Sequence, residues 1–142
     1  MTINPYLNFP GNTEEAFNFY KSVLGGEFPF LQRFKDTPEA DKISPEDANK
    51  IMHVSLPVGN GNMIMATDAL ESMGQKLTQG NNFYLCISAD SKEEADKLFN
   101  GLSQGGQLTM PMTDMFWGAY FGMFTDKFGI QWMVSYDKNQ HK

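Results

Sequence analysis

Hydrophobic and polar positions fall into two similar runs along the chain. Tyr6-Leu7-Asn8-Phe9 alternates as a strand does, then passes through Pro10-Gly11 into Asn12-Thr13-Glu14-Glu15-Ala16. In the second half Tyr84-Leu85-Cys86-Ile87-Ser88 leads in the same way into Ser91-Lys92-Glu93-Glu94-Ala95. Asn12 and Ser91 are expected N-caps. Glu15 and Glu94 stand three residues on, where a carboxylate reaches back to the cap's N–H. Apolar stripes at helical spacing follow: Ala16, Phe19, Tyr20, Val23 and Leu24, then Ala95, Leu98, Phe99 and Leu102. Glycine pairs, Gly25-Gly26 and Gly105-Gly106, are the expected stops.

After each helix the period changes from helical to alternating. The first half predicts strands over Phe28 to Phe34, Lys50 to Val58 and Met63 to Thr67, the last two joined by a Gly59-Asn60-Gly61-Asn62 hairpin turn. The second half predicts Gln107 to Met112, Trp117 to Thr125 and Ile130 to Tyr136, with Asp126-Lys127-Phe128-Gly129 as the last turn. The order β-α-β-β-β thus occurs twice. The expected class is α+β, two βαβββ modules forming curved mixed sheets around a cavity. They make a single domain over residues 1–142, with module one about 1–68 and module two about 82–136. The polar stretch from Asp36 to Asn49 reads as slack surface loop with a helical turn after Ser44-Pro45. Asp68 to Asn82 joins the modules, and lid and slack weigh equally there.

Composition narrows the function classes. Apolar residues make up 41% and charged residues 20% of 142, a globular balance rather than a disordered one. The longest apolar runs fall short of a bilayer span, and the first residues lack a charged stretch ahead of an apolar one, so a soluble chain without a signal peptide is expected. A net charge of −6 and the lack of a Lys/Arg cluster exclude phosphate-dependent nucleic-acid binding. A single cysteine, Cys86, allows no intrachain disulfide and suits a reducing cytoplasm. In its strand it reads as a small packing residue, since no neighbouring base or cation would lower its pKa.

Several segments resemble one family. They are Pro5-Tyr6-Leu7-Asn8-Phe9 with Gly11-Asn12, Glu15-Ala16 with Phe19-Tyr20 and Gly25-Gly26, His53, Ala66-Thr67-Asp68-Ala69, and Phe116-Trp117 followed by Thr125-Asp126-Lys127-Phe128-Gly129-Ile130-Gln131-Trp132-Met133. Together they cover nearly the whole chain and resemble the PhnB-like branch of the vicinal oxygen chelate superfamily, which includes glyoxalase I, bleomycin-resistance proteins and extradiol dioxygenases. The resemblance implies two half-open cups, a small-molecule cavity and a homodimer. It also implies, for the superfamily's enzymes, a divalent ion held by His, Glu or Gln from the first and last strand of each module.

Those positions fall here at Asn4, Pro5 or Tyr6, at Ile64, Met65 or Ala66, at Phe83, Tyr84 or Leu85, and at Trp132, Met133 or Val134. Apart from a weak Asn4, none is a competent ligand for zinc, nickel, iron or manganese. No metal, no cofactor and no catalytic residue is therefore expected. Of the two histidines, His141 lies in the polar tail. His53 sits in the alternating strand Ile51 to Leu56 as a hydrogen-bonded strand residue, a polar anchor or a general base.

The residues singled out for ligand binding are His53, Met65, Tyr84, Trp117, Tyr120 and Gln131. Thioethers such as Met65 adapt to irregular ligands, although most of the ten methionines serve equally as core. Phe116, Trp117, Tyr120 and Phe121 can stack on a planar ligand or cover a dimer seam. Asp68 can cap the following turn. The expected function is metal-independent binding of a small apolar or aromatic molecule. The alternative is an enzyme with a non-standard site around His53. A demethylubiquinone methyltransferase label, sometimes attached to this branch, has little residue support, because Gly59-Asn60-Gly61 lies in a hairpin and not ahead of a helix.

Overall fold

A computed structural model describes residues 1–38 and 40–138. His141 lies outside the described residues. The chain divides into two compact units, Met1–Thr78 and Gln79–Lys142.

In the first unit β1 (Tyr6–Phe9), α1 (Thr13–Leu24), β2 (Phe30–Arg33), β3 (Ile51–Gly59) and β4 (Asn62–Asp68) form a mixed sheet in the order β1-β4-β3-β2. β1 runs parallel to β4, while β3 is antiparallel to both neighbours. The β3–β4 turn carries Asn60 and Gly61 at φ 53° and 79°, the pair of positive φ angles that a tight hairpin of this hand requires.

Period two splits this sheet into faces. Leu7, Phe9, Val54, Leu56, Ile64 and Ala66 are buried on the α1 side. Phe17 of α1 is fully buried there, its ring edge-on to Phe9 and Tyr20, so it takes the core place expected of Phe19, which is only half-buried.

The start of α1 differs from expectation. The Asn12 side chain makes no capping bond, and its buried Oδ1 has no hydrogen-bond partner among the described residues. Asp68 at the end of β4 supplies the cap instead. Its Oδ1 accepts from the Thr13 backbone N–H at 2.9 Å and the Thr13 hydroxyl at 2.6 Å, and its Oδ2 accepts from Ile51 N–H at 2.8 Å. A buried carboxylate favours the positive end of a helix. One side chain therefore joins α1, β3 and β4.

The segment between β2 and β3 is pinned rather than slack. Short 3₁₀ turns cover Phe34–Asp36 and Ala40–Lys42, and a turn follows Ser44. Buried Asp47 accepts from Lys50 at 2.8 Å and from the hydroxyls of Ser44 and Ser72. Lys50 and Ser72 hold its carboxyl below the usual carboxylate range. A further 3₁₀ turn covers Glu71–Met73.

The second unit repeats the plan with β5 (Leu85–Ser88), α2 (Lys92–Leu102), β6 (Gln107–Asp114), β7 (Ala119–Thr125) and β8 (Gln131–Asp137), in the order β5-β8-β7-β6. Ser91 caps α2 as expected, accepting from Glu94 N–H at 3.0 Å, while Glu94 reaches back to Asp90 N–H, one residue before the cap. α2 ends at Ser103, ahead of the glycine pair. Ala95, Phe99 and Leu102 bury against Phe124, Trp132 and Val134 on one face of the sheet. At Gly122 a Cβ would stand 2.7 Å from the Phe99 ring and 2.7 Å from Met112 Sδ, so only glycine lets helix and strand approach this closely. Among the described residues, no helix is long and apolar enough to cross a membrane.

Candidate functional site

The face of the first sheet turned away from α1 carries an unusual row. Register aligns Tyr6 with Met65, Met65 with Ser55, and Ser55 with Phe30, one residue from each of the four strands. Partnered residues project from the same side of a sheet, with Cβ atoms about 4.5–5.5 Å apart. Tyr6 and Phe30 remain 46% and 48% exposed, large areas for aromatic rings in a strand. Ser55 is buried between them, and Met65 is half-buried.

His53 lies one step along β3 on this same face, opposite Gln32. The Tyr6 hydroxyl is 2.9 Å from His53 Nδ1, with the rings tilted at 5.5 Å between centroids. On the other side Phe30 meets the imidazole edge-on at 5.3 Å. The imidazole is thus held between two aromatic rings by a hydrogen bond at one nitrogen. Nε2 takes no hydrogen bond from any described residue. If the phenol donates to Nδ1, Nε2 carries the N–H. If the ring donates to the phenol oxygen, Nε2 keeps a lone pair. Burial raises the Tyr6 phenol above its ordinary pKa, so it stays a neutral hydroxyl. Tyr6 and Phe30 were not singled out from sequence as ligand contacts. The strand parity that puts both beside His53 is the signal that would have found them.

The other expected site residues are placed differently. His53 and Met65 share the first unit's helix-free face. In the second unit half-buried Tyr84 immediately precedes β5. Gln131 opens β8, and its Nε2 donates to the Phe83 carbonyl at 2.6 Å, which commits the amide N–H₂ but leaves Oε1. Trp117 lies not in a strand but in the β6–β7 turn, closed by Met115 N–H to Ala119 O at 2.7 Å. Its ring is 52% exposed, beside Phe116 at 97% exposure and 6.5 Å from the Phe121 ring. Tyr120 faces the opposite way. It lies on the α2 side, where its hydroxyl donates to Asp96 at 2.5 Å and Lys92 sits over its ring. That hydrogen bond, with burial, pushes its pKa up to about 12. Strand parity thus separates Tyr120 from Phe121, whose register partner Ser135 lies on the helix-free face.

Cys86 also departs from its expected packing role. It is exposed, because it lies on the helix-free face while Ile87 takes the opposite one. Burial of the thiol among its neighbours still pushes its pKa up, which opposes a nucleophilic role.

The donors do not fit the divalent ion that the resemblance implies. Of the places in question, Tyr6, Met65 and Met133 lie on the helix-free faces, and Tyr84 immediately precedes β5. A neutral phenol with a raised pKa is a poor oxygen ligand, and thioethers are too soft for hard or borderline ions. The remaining oxygen candidate, Asn4, has its Oδ1 occupied by Met63 N–H at 3.1 Å. Among the described residues, no group of three or more His, Cys, Asp or Glu side chains is disposed to hold a metal.

Comparison with known proteins places the chain among relatives with the same architecture. Protein YjdN of Escherichia coli (strain K12) is 32% identical over 99% of this chain and 98% of its own length. The crystal structure of protein PA1353 from Pseudomonas aeruginosa superposes with a TM-score of 0.86 at 40% identity, covering 96% of this chain and 98% of that one. The PhnB protein from Bacillus cereus gives a TM-score of 0.76 at 27% identity, covering 96% and 99%. A glyoxalase/bleomycin resistance protein/dioxygenase family enzyme from Burkholderia phytofirmans shares the fold, with a TM-score of 0.60 at 21% identity over 92% of this chain and 95% of that one. The model of the family described as 3-demethylubiquinone-9 3-methyltransferase matches residues 1–135. The chain belongs to that PhnB-like family, and it shares its fold with the glyoxalase/bleomycin resistance/dioxygenase family enzyme.

Proposed function

We propose that this protein binds a small apolar or aromatic molecule without a divalent metal, on the helix-free face of its first sheet. The observation that carries this reading is the His53 imidazole, fixed by Tyr6 at Nδ1 and flanked by Phe30, with Nε2 unengaged by any described residue. Such a group orients a ligand by one hydrogen bond, while the exposed Tyr6 and Phe30 rings and the Met65 thioether supply contact area. Apolar surface with one convergent polar group is the usual composition of a small-molecule site. Within the second unit, half-buried Tyr84, exposed Trp117 and the Gln131 side-chain Oε1 are candidate ligand contacts of that unit by itself. The accompanying proposals of a homodimer and a cytoplasmic location rest on the resemblance and the single cysteine.

A second reading makes His53 a general base, with Tyr6 as the group that orients it. The same 2.9 Å contact supports it, because a base held by a partner presents its second nitrogen in a fixed direction. The methyl transfer in the family's description has less support. A nucleotide-like methyl donor favours a glycine turn ahead of a helix, whereas Gly59-Asn60-Gly61 joins β3 to antiparallel β4.

Thermal unfolding in EDTA with a panel of planar phenols and aromatic amphiphiles tests the binding reading. A ligand at about 100 times its Kd stabilises by about 2.7 kcal/mol, a readily measured shift. The expected result is stabilisation by at least one chemotype, lost in His53→Ala. No stabilisation by any compound, or stabilisation only once manganese, nickel or zinc is added, overturns it. Turnover of a bound compound that disappears in His53→Ala would favour the second reading.

A further inference from the structure

The donors that disqualify this chain for a hard divalent ion suit a different one. Across the second sheet, register aligns Cys86 with Met133, Met133 with Met123, and Met123 with Met110, one residue from each of β5, β8, β7 and β6. Three sulfur-bearing side chains, those of Cys86, Met133 and Met123, therefore stand in one row, neighbours separated by about 4.5–5.5 Å at Cβ, while Met110 stands between two register shifts of β6. The core of this unit lies on the other face, where Phe124, Trp132 and Val134 are buried against α2. The row is not part of that packing. Cys86 is exposed, and the three methionines are half-buried. Beside it run Ser88, Ser135, Phe121 and Thr113 on one side, and Gln131, Thr125 and Gln107 on the other, so no charged group enters the row from adjacent register positions.

We propose that this row is a binding site for a soft monovalent cation, Cu(I) or its chemical analogue Ag(I), with the Cys86 sulfur and the thioethers of Met133 and Met123 as ligands. Thiolate and thioether sulfur select soft ions over the oxygen- and nitrogen-seeking ones. One thiolate also balances the single positive charge, which leaves a neutral complex on an uncharged surface. The step is a simple exchange: the Cys86 S–H bond breaks, a sulfur–metal bond forms, and the proton passes to solvent with no change of oxidation state. A thiol that stays protonated in the free protein is deprotonated by a coordinating ion. This row belongs to the second unit, and the proposal does not depend on the ligand proposed at the His53 face of the first.

The test uses the reduced, full chain under anaerobic conditions. In competition with bicinchoninate, the protein should withdraw one equivalent of Cu(I). Cys86→Ser, Met133→Leu and Met123→Leu should each weaken binding about 10–100-fold, the scale on which metal sites respond to altered ligand environments. Leucine conserves the methionine volume, so the fold survives those changes. With Ag(I), methyl-labelled methionine spectra should show Met123 and Met133 shifting within one equivalent, while Met52 and Met73 stay in place. Zinc should move none of them. Failure to compete for Cu(I), unchanged affinity in the leucine variants, or a response confined to Cys86 would each overturn the site.

Discussion

The Tyr6 hydroxyl lies 2.9 Å from Nδ1 of His53, although 47 residues separate them in the chain. β1 and β3 are not neighbours in the sheet; β4 lies between them. The contact therefore crosses over β4, in which Met65 is the register partner of Tyr6. Removing the imidazole by His53→Ala should weaken ligand binding about tenfold or more, since a hydrogen bond and a stacking surface go together. Tyr6→Phe keeps the ring and loses only the hydroxyl, so the expected loss is about 0.5–1.5 kcal/mol. Isothermal titration of both variants with the same aromatic ligand checks the order. As His53 is half-buried, neither substitution should cost more than about 1 kcal/mol of stability.

Asp68→Ala should damage the first unit far more. Its carboxylate takes the Thr13 N–H, the Thr13 hydroxyl and the Ile51 N–H, all in a buried setting. Three donors would be left without a partner, at about 1 kcal/mol or more each, so a loss on the order of 3 kcal/mol is expected. Urea unfolding followed by a probe in the first unit measures it.

Gly122→Ala tests the close approach of β7 and α2. The new methyl group would stand 2.7 Å from the Phe99 ring, which is itself buried and edge-on to Phe124 at 5.1 Å. Overpacking of this kind costs about 1–3 kcal/mol. Trimming Met112 in the same protein should recover only part, because Phe99 stays in the way.

Tyr120 gives a pH prediction. Its hydrogen bond to Asp96 raises its pKa from an ordinary 10.0 to about 12 in the folded chain. A raised folded pKa stabilises fully below the unfolded value and loses that contribution as pH climbs through the folded one. Stability should therefore fall between pH 10 and about 12, and Tyr120→Phe should flatten that fall. Because Tyr120 faces α2, the same variant should leave ligand affinity unchanged. Chemical denaturation across the alkaline range, with a binding isotherm at neutral pH, reads both.

The doubled architecture was legible because it rests on local signals: alternation in Tyr6–Phe9 and Leu85–Ser88, the Ser91 cap, and the positive-φ Asn60-Gly61 turn. What escaped was set by parity and by distant partners. Tyr84 to Ser88 reads as a strand without saying which face is covered, so Cys86 reads as packed, although it is exposed. Along β7 a shift of one residue decides whether Tyr120 or Phe121 reaches the helix-free face. Asn12 is the local choice for a cap, yet Asp68 supplies the carboxylate from 55 residues away. Phe17 and Phe19 both fit a helical stripe, and only the Phe9 and Tyr20 rings decide in favour of Phe17.

Binding at the Tyr6–His53–Phe30 face is most directly tested by NMR of the chain carrying methyl-labelled methionine and labelled histidine, titrated in EDTA with an aromatic compound that raises its melting temperature. The Met65 methyl and the His53 ring signals should shift together and saturably, with the Met73 methyl unmoved. Shifts that spare both Met65 and His53, or that emerge only after a divalent ion is restored, would contradict the account.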